Sequence, residues 1–144
     1  MNSTDHVSLP SRLTLTLEAA RIAAAAAERA ATADGLAVCI AVVDDGGNLV
    51  LFQRIDGTQI GSADVAVGKA RTSIAFRRPT KAFQDRVAEG FTALLALSGS
   101  VPLEGGVPLI VAEQLVGAIG VSGGSPAQDG QVALAGAAAL ATAS

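Results

Sequence analysis

Tryptophan and tyrosine are absent from this 144-residue chain, and four phenylalanines are its only aromatics. Platforms for stacking nucleic-acid bases are therefore scarce. No basic run supplies phosphate contacts either, and the net charge is −3. A nucleic-acid partner is disfavoured on both counts. The single cysteine, Cys39, rules out an internal disulfide and fits a reducing compartment. With one histidine, His6, beside it, the usual nitrogen and sulfur ligands of a zinc site are missing, and no metal centre is expected. A Cys–His nucleophilic pair would have to join a core strand to a polar tail, and Cys39 reads better as a small buried hydrophobe. No uninterrupted apolar run reaches about 18 residues, so no membrane span is expected. Met1 to Ser11 is polar and lacks an apolar signal core, which makes the cytoplasm the expected location.

What the chain has in excess is small apolar residues. Half of it is hydrophobic and only 16% is charged, against about 25% charged in an ordinary domain. The mean hydropathy is +0.47. One domain of this size can build a core without metal or disulfide staples. So little polar surface cannot cover it, and burial between copies is the remedy, so a homo-oligomer is expected.

Along the chain, residues 1–12 read as a flexible lead and residues 13–144 as one domain. Thr16 is an N-cap candidate for an alanine-rich helix to about Thr32, with Glu18 in its first turn and Gly35 beyond its end. That alanine face suits close packing on a sheet or on its own copy. Leu36–Val43 and Leu49–Arg54 read as strands around the turn Asp44-Asp45-Gly46-Gly47-Asn48. Ser62 can cap a helix to about Phe76, with Lys69 and Arg71 near its polar margin. Arg78-Pro79 ends it, and Thr80 can cap a shorter helix from Lys81 to about Glu89. Gly90 to Pro102 carries little pattern. A second hairpin, Gly105 to Gly124, has glycines at both open ends. Pro126 suits the first turn of a final helix, with Asp129 also in that turn. Hairpins make antiparallel pairs, so the class is α+β: an antiparallel sheet flanked by helices, in a single domain.

Gly117-Ala118-Ile119-Gly120-Val121-Ser122-Gly123 spaces glycines like a dinucleotide loop, but part of it lies inside a strand, and no Gly-Lys-Ser/Thr phosphate loop exists. The polar groups available to a ligand are few. Lys69 interrupts an apolar helix; it is either a snorkelling side chain or a cation placed to meet a carboxylate. Arg54, with Asp56, is either a surface ion pair beside a turn or an anion contact. Glu104 precedes Gly105-Gly106, and Asp129 follows Gly123-Gly124, so two carboxylates can stand near the glycine loops. Ser122 and Ser125 have hydroxyls but no histidine base.

Several segments together resemble one family. They are Val42 to Val50, Arg54-Ile55-Asp56-Gly57, Ala66 with Lys69-Ala70 and Thr72, Arg78-Pro79-Thr80, Gly105-Gly106-Val107-Pro108, and Gly117 to Gly124 with Asp129. In this order and spacing they are similar to the GlcG/HbpS-like proteins, a haem-degrading or haem-binding family that includes the C-terminal domain of PduO-type proteins. The resemblance covers about Leu13 to Leu140. It implies a compact profilin-like fold and dimers that assemble further, to tetramers or octamers. It also implies haem as a ligand. The Glu-x-x-Glu of the haem-sensing relative does not occur here, so an axial partner would be His6, a hydroxyl such as Thr80, or a lysine.

Two functions follow as expectations. In the first, an oligomer holds haem or another planar or acidic small molecule in a cleft between subunits. Lys69, Arg54, Ser122 and the backbone at Gly105, Gly106 and Gly123 would serve as its contacts. In the second, the protein is a cofactor-independent isomerase, tautomerase or lyase of a small catabolic acid. Lys69 or Arg54 would bind the carboxylate there, Asp129 or Glu104 would move a proton, and glycine-loop amides would stabilise an enolate-like oxyanion.

Overall fold

The computed structural model describes residues 5–144. Part of the expected flexible lead, residues 1–4, lies outside the described residues. His6 is exposed and belongs to no helix or strand. The coil is tied down further on. Arg12 pairs with Asp45 at 2.6 Å, and Leu13 N–H donates to the Gln114 side chain at 2.9 Å.

Helix α1, Leu17–Ala33, starts where Thr16 accepts a hydrogen bond from Ala19 N–H. Strands β1, Cys39–Asp44, and β2, Leu49–Arg54, form the first hairpin. Asp44 organises its turn by accepting from the Gly46 and Asn48 backbone N–H groups, an Asx pattern that explains why Asp-Asp-Gly-Gly-Asn turns. Helix α2, Gly61–Phe76, and helix α3, Lys81–Ala88, follow. A short 3-10 helix, Thr92–Ala96, sits in the segment that carried little pattern. Strands β3, Gly106–Val111, and β4, Gln114–Ser122, make the second hairpin, and helix α4, Pro126–Ala143, ends the domain.

The sheet order is β2-β1-β4-β3, antiparallel throughout. The central strand β1 is covered on both faces. Ile40 and Val42 face a core shared with α1 and α4, while Cys39, Ala41 and Val43 face α2. Alternation along one strand thus feeds two cores, and a continuous apolar run results. The alanines of α1 let it lie close against α4: Ala20, Ala23, Ala24, Ala27 and Ala31 are all buried. Helix α2 sits equally close to β4, because Gly120 has no side chain. A Cβ there would collide with the Ala66 carbonyl of α2.

Three local expectations are corrected. Ser62 does not cap α2: the helix begins at Gly61, and the buried Ser62 hydroxyl accepts from the Gln59 amide instead. Thr80 does not cap α3 through its side chain; that hydroxyl is taken by β3. Lys69 is not on a polar margin but is 2% exposed, in the interior between α2 and the sheet.

Candidate functional site

One end of the sheet gathers most of the polar residues singled out in the sequence. There β4 ends at Ser122, β3 begins at Gly106, and α4 begins just after Ser125. Lys69 projects from the middle of α2 toward this end. Its Nζ donates to the Val121 carbonyl at 2.9 Å and to Asp129 Oδ2 at 3.1 Å. Asp129 Oδ1 accepts from Gly124 N–H at 2.8 Å. Both side chains are almost wholly buried, so the pair joins α2, β4 and α4 in the interior. Besides the bond to its charged partner, each side chain makes one to a backbone group, Lys69 to the Val121 carbonyl and Asp129 to Gly124 N–H, which is what makes burial of two charges tolerable.

Gly105 leaves room for this lysine. Its φ is 135°, a region open to glycine, and a Cβ would lie 2.8 Å from Lys69 Nζ. Gly106 is held from the other side by Thr80. Thr80 Oγ1 accepts from Gly106 N–H at 2.8 Å, and Thr80 N–H donates to Gly106 O at 3.0 Å. The glycine pair therefore forms a rigid floor, clamped between the start of α3 and the buried lysine.

On the outer side of that floor lies a pocket of about 140 Å³, lined by Pro79, Lys81, Glu104, Val107, Gly130 and Leu134 together with the two glycines. Its walls are apolar. Lys81 and Glu104 are its charged residues. The Lys81 ammonium is held by Asp85 at 2.7 Å, and this hydrogen bond and charge push its pKa up, with Glu104 adding a smaller effect. Glu104 N–H donates to the Gln84 side chain at 2.8 Å, and the Glu104 carboxylate lies over Gly130.

The structure thus brings Lys69, Asp129, Gly105, Gly106 and Glu104 into one region. It splits them across the glycine floor, with the Lys69–Asp129 pair inside and Glu104 at the pocket. Arg54 stands apart. It is exposed at the end of edge strand β2, opposite Cys39, with Ser122 opposite Cys39 on the other side. Burial pushes the Cys39 thiol pKa up, and the nearby Arg54 charge opposes this weakly. Gly123 is exposed beyond Ser122. Sequence reasoning missed Lys81, Val107, Gly130 and Leu134, which come from α3, β3 and α4. The Arg-Pro-Thr segment before α3 was the available pointer, because Thr80 is what draws α3 to the glycines.

A four-stranded antiparallel sheet with helices on both faces, closed at one end by a glycine floor over a buried lysine–aspartate pair, defines a class of small α+β domain. The chain belongs to the family described as "Haem degrading protein HbpS-like", whose model matches residues 15–138. It is 41% identical over 101 residues to protein GlcG of Escherichia coli K12, spanning 66% of this chain and 75% of GlcG. Among solved structures, a double mutant of Streptomyces reticuli HbpS is 39% identical, with a TM-score of 0.82, covering 95% of this chain and 97% of that one. A PduOC–haem complex is 27% identical, with a TM-score of 0.79, covering 88% of this chain and 95% of that one.

Proposed function

We propose that this protein is an oligomeric small-molecule-binding protein that holds haem or a related planar, acidic ligand between subunits, at the pocket over Gly105 and Gly106. The observation that carries this reading is the pocket itself: apolar walls, a backbone floor and the Lys81 cation. The haem of the related PduOC complex supplies the ligand class.

Size supports a shared site. Sites for drug-sized ligands enclose about 300–1,000 Å³, and this pocket holds 140 Å³. A macrocycle needs a second wall, and Leu134, 47% exposed, presents apolar surface for one. The residues suit the faces and carboxylates of haem better than its iron. Cys39 is buried, Lys69 and Thr80 are engaged, Lys81 is held by Asp85, and His6 lies in the exposed lead, so none of these is preformed as an axial ligand at the pocket. The reading is therefore one of holding the ligand, with no step through the metal. Lys69 and Asp129 direct their polar atoms at each other and at the backbone, and neither lines the pocket, so Glu104 stands there without the lysine expected to hold a substrate carboxylate, which favours binding over proton transfer.

The test is a difference-absorbance titration with haem. Saturable uptake with a sharpened Soret band is expected for the native chain, and its loss is expected in Leu134→Glu. A non-saturable, unshifted response of the native chain would remove this ligand.

A further inference from the structure

The exposed face of α1 is built to meet itself. Glu18, Ile22, Ala25 and Arg29 recur at intervals of four, three and four residues, the spacing of a helix–helix seam. Glu18, Ile22 and Arg29 are exposed, and Ala25 is half-buried between them. Together with Arg21 they line an open concavity of about 350 Å³ along the helix. The small Ala25 gives this stripe a hole, and Ile22 one turn away gives it a knob. The four charged residues of α1 are Glu18, Arg21, Glu28 and Arg29. Among the described residues, none of them has an ion-pair partner in the protomer.

Their order along the helix supplies the missing partners. Two copies of α1, laid antiparallel about an axis between residues 23 and 24, set Glu18 against Arg29 of the second copy. The same axis sets Ile22 over Ala25 of that copy. Arg21 and Glu28 share one flank of the stripe, and in an antiparallel pair like flanks meet, so these two also come together across the seam. Two-fold symmetry doubles every contact. A parallel pairing would instead set Glu18 against Glu18 and Arg29 against Arg29.

We propose that the α1 stripe is a two-fold seam between two copies of this chain, with Ile22 seated over Ala25 and with Glu18–Arg29 and Arg21–Glu28 pairs across it. This rests on the oligomeric part of the reading above and names one surface that makes the oligomer; it does not depend on the ligand.

Charge swapping tests it, with mass followed by sedimentation equilibrium on the full chain. Glu18→Arg and Arg29→Glu each place like charges together twice, and each is expected to weaken the association at least about tenfold. The double variant Glu18→Arg, Arg29→Glu is expected to restore it. Asp64→Arg makes the same charge change in the first turn of α2, on the other face of the sheet, and is expected to leave the mass unchanged. A monomeric native chain would overturn the seam. So would single variants that keep the native mass, a double variant no better than the singles, or an Asp64→Arg variant that dissociates as readily. If haem fails to bind while the swap pattern holds, the ligand is wrong and the seam stands. If haem binds but the swap pattern fails, the seam alone is wrong.

Discussion

Lys69 and Asp129 are each 2% exposed, and each is the other's charged partner. Removing one leaves an uncompensated charge in the interior. Asp129→Ala is expected to lower unfolding stability by about 3–5 kcal/mol, read from the denaturation midpoint. The pair Lys69→Met, Asp129→Leu is expected to cost clearly less than the sum of the single losses, because the stranded charge disappears with its partner. Equal and additive losses would show that the two do not interact. Cys39 offers a second reading at this scale. Its thiol pKa is raised from 9.0 by burial, so the folded chain keeps the proton at pH values where the unfolded chain has lost it. The cysteine contribution to stability is thus complete below pH 9.0 and declines as pH rises through and above it. Iodoacetamide at pH 8 is expected to label Cys39 only after unfolding, since the thiolate is the reactive form. Fast labelling of the native chain would contradict its burial.

The elements differ in how plainly the residues announce them. The α1 boundaries follow from Thr16 and the alanines, and the first hairpin from its Asp and Gly turn, because these signals are local. The second hairpin turns at Ala112 and Glu113, with φ of 49° and 65°, and neither residue type signals a turn of that hand. There the flanking strands impose the turn. Ser125 caps α4 in a reciprocal box with Gln128, a local pattern that was present beside Pro126. The burial of Lys69 was not legible, because its partner Asp129 is 60 residues away and the two meet only once β4 and α4 are placed. For the same reason the sequence grouped Lys69 with Glu104, while the fold sets them on opposite sides of Gly105. Close packing gives a sharper element-scale test. Gly120→Ala drives a methyl group into the α2 backbone, and a loss of at least about 1–3 kcal/mol is expected from overpacking. A neutral result in thermal unfolding would mean that α2 can shift away from β4 freely.

At the scale of the whole molecule, the seam and the pocket are different surfaces. None of the residues lining the α1 concavity lines the pocket over Gly105 and Gly106. A pocket wall contributed by a second copy therefore calls for a second contact. Two distinct two-fold contacts in one closed assembly give dihedral symmetry, of which four copies are the smallest case. The excess of apolar surface agrees with this: Leu134 is 47% exposed beside the pocket and Ile22 is 36% exposed on α1. The expected mass of the native chain is then that of four copies. Glu18→Arg is expected to reduce it to two while haem uptake persists, because the contact at the pocket is untouched. Leu134→Glu is expected to reduce it to two as well, but with haem uptake abolished. The two variants separate assembly from binding, with native mass spectrometry reading copies and ligand together. If Glu18→Arg lost the ligand along with half the mass, the pocket wall would come from the α1 partner, and one surface rather than two would hold both the assembly and its ligand.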